Sequence, residues 1–206
     1  LLNRVDTLSS GEIDELVGLL NEQFPGIPVL RVSAKTGHGF DAVHEMLDQR
    51  GQFGRRILEL DYDIYAEGEA ELGWLNSSLR LTADKPVALD NYLTQVIERL
   101  RNSLAAAGAE PAHLKVIGMA DGAYGVANLV SSESASELSL PSRAQVTQAD
   151  VIVNARVALD PETLQAMVEE TVQAEAARLG AEANIRQTQS FRPGRPVPTH
   201  RFSDAV

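Results

Sequence analysis

With 206 residues the chain is long enough for one large or two small domains. Acidic residues exceed basic ones by 29 − 18 = 11, which argues against binding nucleic acid through a phosphate-neutralising surface, and the lack of cysteine excludes disulfides and thiolate metal sites within the chain. No apolar run reaches membrane-spanning length and the first residues do not read as a signal peptide, so a membrane partner is not expected, and a cysteine-free composition suits a reducing, cytoplasmic setting.

Leu1-Leu2-Asn3 reads as the end of a buried strand. With no initiating Met before it, the expectation is a piece cut from within a domain of a longer protein. Asn3-Arg4-Val5-Asp6 follows directly. Ser9 to Phe24 is predicted as a helix, because Ser9 and Glu12 have capping-box spacing and Ile13, Leu16, Val17, Leu20 and Phe24 form one apolar stripe. Pro25-Gly26 ends it, and Pro28 to Val32 is a short apolar strand. Ser33-Ala34-Lys35-Thr36-Gly37 comes next, then the turn Gly37-His38-Gly39 and a second amphipathic helix begun by Phe40, Val43 and Leu47. Strand, helix, strand, helix is half of a parallel α/β layer, and both polar motifs fall at the carboxyl ends of its strands, where such sheets place ligand contacts.

In that order and spacing the two motifs resemble the guanine-reading elements of GTP-binding proteins, Asn-Lys-x-Asp and Ser-Ala-Lys, with Arg4 where that family usually has Lys. The resemblance implies that Asp6 accepts hydrogen bonds from guanine N1 and N2, that Asn3 ties the base-binding loops together, and that the Arg4 stem and Lys35 cover the two faces of the base. It also implies that the Ala34 N–H, presented after Ser33, meets guanine O6. Arginine can stack on a base as lysine does. Taken singly, Asn-x-x-Asp is equally a strand-end turn and Ser-Ala-Lys a helix cap. No Gly-x-x-x-x-Gly-Lys-Ser/Thr occurs in the chain. It therefore carries the base-reading part of a nucleotide site without the phosphate loop, and no GTP hydrolysis by this chain alone is expected.

Arg50 to Arg56, with two glycines and three arginines, reads as a linker. Ile57 to Ile64 alternates apolar and acidic residues and is predicted as a half-buried strand. From Glu59 to Glu71 there are six carboxylates and no base; such a run either gathers a divalent cation or is a solvated acidic edge. Residues 51–72 are thus assigned to an acidic connector, and 73–206 to a second domain.

That domain contains a weak internal duplication. A strand from Trp74 to Leu81 is followed by a loop around Asp84-Lys85-Pro86, a helix over 88–107 with the exit Gly108-Ala109-Glu110, and a strand over Leu114–Met119. The second copy has a strand over Val151–Leu159, a helix over Pro161–Leu179 with the exit Gly180-Ala181-Glu182, and a strand over Ile185–Phe191. Two βαβ units in tandem predict an α+β, ferredoxin-like split βαβ fold with one antiparallel sheet under two helices. After the turn at Ala120-Asp121-Gly122, Tyr124–Val130 and Glu137–Leu140 read as an inserted hairpin closed by Ser131–Ser134. Strand parity puts Leu75, Leu79, Leu81, Val151, Val153, Ala155, Val157 and Leu159 under the helices. It leaves Trp74, Asn76, Ser78, Arg80, Asn154 and Arg156 on the helix-free face. That face is either covered by a partner or left as a hydrated sheet surface. The Pro- and Arg-rich tail, Phe191 to Arg201, cannot be helical. His38, His44, His113 and His200 are isolated in sequence and are not assigned as metal ligands.

The Asn3–Asp6 and Ser33–Gly37 pair followed by an α+β domain resembles the CobW/HypB/UreG family of GTPases and metal-trafficking proteins, most closely its CobW-like, cobalamin-synthesis branch. The run Asp61-Tyr62-Asp63 with Glu69-Ala70-Glu71-Leu72-Gly73-Trp74-Leu75-Asn76 is also similar to CobW-related sequences. The resemblance makes residues 1–50 the C-terminal half of a P-loop GTPase domain, with GTP as ligand and Mg²⁺ expected from the missing half. It implies coupling of nucleotide state to metal or corrinoid delivery, with a client protein or metalloenzyme, or a second copy of the chain, as partner. No metal ligands carry over, because the family's Cys motif is absent. The competing expectation is a non-nucleotide α+β regulatory module that binds a partner or dimerises.

Overall fold

The computed structural model describes residues 1–51, 61–129, 131 and 134–197. The linker residues 52–56, the first half of the Ile57–Ile64 strand, Val130, Ser132, Glu133 and the tail from Pro198, with His200, lie outside them. The chain folds as two units, one within residues 1–51 and one within 61–197.

In the first unit β1 (Leu2–Asn3) and β2 (Arg31–Val32) pair in parallel, joined by α1 (Ser10–Gln23), and α2 (Phe40–Leu47) follows. Ser9 and Glu12 close the expected capping box: the Ser9 N–H donates to Glu12 Oε2 at 2.8 Å and the Glu12 N–H to Ser9 Oγ at 3.4 Å. Neither helix is buried along its length. On α1 only Ile13, Val17 and Leu20 are half-buried, and the inner face of α2 is Phe40, Val43 and Met46, with Leu47 76% exposed instead of packed. The core of the unit is Val5 and Val32 with Ser33.

The second unit is a six-stranded antiparallel sheet, a mixed α/β arrangement. Its strands are β3 (Gly73–Ala88), β4 (Pro111–Ala120), β5 (Ala123–Leu129), β6 (Glu137–Leu140), β7 (Gln145–Val157) and β8 (Ala181–Phe191), in the order β6-β5-β4-β7-β3-β8. α4 (Leu89–Ala106) links β3 to β4, and α5 (Pro161–Arg178) links β7 to β8. Each helix thus joins two strands that flank a third, so the two βαβ units interlock. β5 and β6 extend the sheet beyond β4 as the expected hairpin.

The parity reading holds. Leu75, Leu79, Leu81, Val151, Val153, Ala155 and Val157 are buried and pack with Leu93, Val96, Ile97 and Leu100 of α4 and Val168, Val172 and Ala176 of α5. α4 lies especially close to the hairpin. Gly118 and Gly125 are Cα partners, and a Cβ on either would come within 2.9 Å of Leu89 or 2.8 Å of Leu93. Only glycine leaves room for the two leucines there. Between the helices the Tyr92 hydroxyl donates to the Val172 carbonyl at 3.0 Å, and burial, with the nearby Glu175 charge, pushes its pKa up. Glu175 is itself buried and is held by Arg178 at 2.7 Å and Arg99 at 3.4 Å.

Four expectations are corrected. Tyr62–Ala70 is a helix, α3, not the second half of a strand. The Asp61 carboxylate caps it by accepting from the Asp63 and Ile64 N–H groups at 2.9 and 3.3 Å, and Tyr62, Ala66 and Ala70 recur at helical spacing on its partly buried side. The tail crosses it: Arg192 donates to the Ala70 and Glu71 carbonyls, at 2.9 Å for Glu71, and Arg195 pairs with Asp63. Asp84-Lys85-Pro86 is not a free loop but a register break inside β3, because β7 begins at Gln145, six residues earlier than predicted, and pairing resumes at Val87 with Val146. β7 stops at Val157, so Leu159 packs on the core from outside the sheet, just before Asp160 caps α5 through the Thr163 N–H at 3.0 Å. β4 and β8 start three and four residues earlier than their apolar runs suggest, at Pro111 and Ala181.

Asp90, in the first turn of α4, ties that helix to the β6–β7 connection. Its carboxylate accepts from Ser142 N (2.8 Å), Ser142 Oγ (2.7 Å) and Arg143 N (2.8 Å). Arg143 is held there at φ 55°. Partial burial raises the Asp90 pKa, but the Ser142 and Arg143 hydrogen bonds and the Arg143 charge outweigh it, leaving it below the ordinary 3.8. A depressed folded pKa means stability present above the unfolded value and lost as pH falls through the folded one. Asp90→Ala is therefore expected to cost about 1–3 kcal/mol at neutral pH. Denaturant melts in acid should show the two proteins converging.

Candidate functional site

The six residues of the opening motifs come together at the carboxyl ends of β1 and β2. After Asn3 the backbone reverses at Arg4, which takes the left-handed conformation (φ 72°, ψ 32°), and Val5–Thr7 forms a single 3-10 turn. The Arg4 carbonyl accepts from Thr7 N at 3.0 Å and Thr7 Oγ1 at 2.8 Å, fixing that reversal. Across from it Ser33 is fully buried, and its loop closes on itself. The Ser33 N–H donates to the His38 carbonyl (3.0 Å), Gly37 N–H to the Ser33 carbonyl (2.9 Å) and Thr36 N–H to Ser33 Oγ (3.2 Å). Gly39, at φ 76°, passes so close to β2 that a Cβ would stand 2.1 Å from the Arg31 carbonyl oxygen. No other residue fits that position without moving the loop.

Two contacts join the loops. The Ala34 N–H donates to Asn3 Oδ1 at 3.0 Å, across 31 residues of chain. The Asp6 carboxyl is held below its ordinary pKa chiefly by a hydrogen bond from the Ser33 side chain, against a small effect of burial, with the Lys35 and Arg4 charges adding to it. Asn3 thus ties the loops as expected. The Ala34 N–H is already engaged by Asn3, so it must leave that oxygen before it can meet a base. An ionised Asp6 is exposed, and with hydrogen bonds from the Ser33 side chain and its own backbone N–H it keeps acceptor capacity for two adjacent N–H donors.

The second unit presents the other predicted residues. Arg156 is the Cα partner of Trp74, and Asn154 of Asn76. These four share one cavity of about 460 Å³ on the helix-free face, together with His113, Lys115, Gln189 and Phe191. Arg80 stands apart: it pairs with Asp150 at 2.9 Å and donates to Gln148 at 2.8 Å, and Arg186 shares the same Asp150 at 3.1 Å. The Arg156 guanidinium lies over the Trp74 ring, its Cζ 3.8 Å from the centroid, and Phe191 packs at 6.2 Å between ring centroids, tilted by 40°. Burial, then the Lys115 and Arg156 charges, lower the pKa of His113.

His113 and Lys115 escaped the sequence reading for a local reason. Their strand was begun at Leu114, so the outward parity His113, Lys115, Ile117 was not followed back to its start. Of the acidic connector, Glu59 lies outside the described residues, and among those described no group of three or more Asp, Glu or His is placed to hold a metal ion. No helix of the described residues is long and apolar enough to cross a membrane. Comparison with protein-family models, with curated proteins and with solved structures finds no match to this chain.

The clasp between the loops is open to direct measurement. Asn3→Ala removes the acceptor of the Ala34 N–H, and amide exchange at Ala34 should accelerate about tenfold, the equivalent of one net hydrogen bond. Exchange at the Gly37 amide, bonded within its own loop, should change little.

Proposed function

We propose that residues 1–50 are the guanine-reading half of a P-loop GTPase domain of the CobW/HypB/UreG kind, and that the second unit is a ferredoxin-like split βαβ domain with an inserted hairpin. The observation that carries the reading is the pair of contacts between the loops, Asn3 with Ala34 and Asp6 with Ser33. These contacts support it by bringing the Asp6 carboxylate beside the Ser33–Lys35 loop, with the Arg4 and Lys35 charges acting on it. The strand order, read as β8-β3-β7-β4 with α4 and α5 on one face, supports the second assignment. In this reading guanine nucleotide binds at Asp6 with Arg4 and Lys35 beside the base. Phosphate contacts, Mg²⁺ and turnover belong to a part of the GTPase domain that these residues do not supply. The parent protein couples that nucleotide state to delivery of a metal or corrinoid to a client.

Base choice follows from donors and acceptors. An Asp carboxylate matches the N1–H and 2-amino group of guanine; adenine has neither, and leaves the carboxylate unpaired. An Asn offers one acceptor and one donor, which matches the N1–H and 2-carbonyl of xanthine. With the Ala34 and Lys35 amides followed by NMR, the chain should respond to GDP at least about tenfold more strongly than to ADP. Asp6→Asn should transfer that preference to the xanthine nucleotide. An equal response to GDP and ADP, or a preference unmoved by Asp6→Asn, overturns the reading.

A further inference from the structure

We infer that the cavity on the helix-free face of the six-stranded sheet is a binding site for a small aromatic anion, a flat ring carrying a phosphate or carboxylate group. The inference does not depend on the guanine reading, because every residue that lines the cavity belongs to the second unit.

Charge is the first reason. The chain carries a net charge of −11, yet no carboxylate lines this cavity, and His113, Lys115 and Arg156 all do. Among the described residues neither Lys115 nor Arg156 has an ion-pair partner, whereas the nearby Arg80 and Arg186 both pair with Asp150. Arg156 faces His113 directly across β4 and β7, and Lys115 is its diagonal neighbour, about 7–8 Å away along the sheet. Lys115 and Arg156 so placed repel one another, and a single bound anion relieves that repulsion.

Geometry is the second. The Arg156 guanidinium carbon sits 3.8 Å over the Trp74 ring centroid, a contact that uses the π-face of the indole and none of the guanidinium's five N–H donors as a conventional hydrogen bond. Among the described residues the Arg156 side chain makes no hydrogen bond, so its fork is held by Trp74 and its donors remain open. Trp74 and Phe191 supply an aromatic wall on the same side. Asn154 and Asn76, Cα partners in the next row, supply donors and acceptors for further substituents. A volume of about 460 Å³ is within the range of small-molecule pockets.

The chain contains one tryptophan, Trp74, so emission excited beyond the tyrosine band reports this cavity alone. Phenyl phosphate and benzoate are the probes for the two anion types, with phenol and inorganic phosphate as the separated halves. The expected result is a saturable change in Trp74 emission with at least one of the two aromatic anions. Phenol and inorganic phosphate should each bind about tenfold or more weakly, and Lys115→Ala should weaken the aromatic anion by about tenfold. Asn154→Asp puts a carboxylate between Lys115 and Asn76 on an outward-facing position that leaves the core untouched. It should abolish the response while the circular dichroism spectrum is unchanged. No saturable response to either aromatic anion overturns the inference, as does phenol or inorganic phosphate binding as well as the aromatic anion. An unchanged affinity in folded Lys115→Ala and Asn154→Asp proteins also overturns it.

Discussion

The second unit depends on the pairing of β3 with β7 in the register that sets Leu79 opposite Val151. Each is the middle strand of an interlocked βαβ unit, so this one ladder decides which side chains meet α4 and α5 everywhere else in the sheet. Slipping it by one residue would turn Trp74, Asn76, Arg80, Asn154 and Arg156 into the core and the leucines and valines out. The cost of burying those polar groups unpaired is several kcal/mol each, which makes the register, and therefore the polar face, a consequence of core formation. The cavity of Trp74 and Arg156 inherits its geometry from the same constraint. Its cations stand in rows because their strands are locked by the leucines behind them.

The first unit is organised differently. Among its described residues Val5, Val32 and Ser33 are buried, while Leu16, Leu19, Phe24, Ile27 and Leu47 are exposed. What holds the loops is a set of short hydrogen-bonded closures, around Ser33 in one loop and around the Arg4 carbonyl in the other, joined by Asn3. Local closures can define a recognition surface without a large apolar core, since each satisfies backbone groups that would otherwise need other partners. Rigidity at the loops comes from hydrogen bonds and from Gly39, whose close approach to the Arg31 carbonyl admits no side chain.

Much of this was legible in residue order. Capping at Ser9, the α4 and α5 apolar stripes and the alternation along β3 and β7 are local signals, and each led to the observed element. Misreadings arose where a local signal had two explanations. Glu59, Asp61 and Asp63 alternate with apolar residues as a strand would, but Asp61 caps a helix that begins at Tyr62. Asp84-Lys85-Pro86 looks like a loop, yet long-range pairing to β7 carries the strand through it. Gly118 and Gly125 gave no signal of their role, because the leucines that need the space are on a helix distant in sequence. His113 looked isolated for a similar reason: its companions Arg156 and Trp74 are brought to it only by the sheet.

The charge distribution constrains what the polar face can hold. A chain with an excess of 11 acidic residues repels polyanions at long range. Beyond about 8–10 Å, however, that field is screened at physiological ionic strength, and the charged side chains that line the cavity are Lys115 and Arg156. A long polyanion lying on the sheet would reach Asp150 and the other surface carboxylates, and would meet repulsion over most of its length. A small anion fits within the cationic rows and leaves the acidic surface in water. Arg80 and Arg186 mark the boundary: both pair with Asp150, whereas among the described residues Lys115 and Arg156 have no carboxylate partner. The acidic remainder of the surface therefore acts as a filter on the size of the ligand, and the cations in the cavity act on its sign.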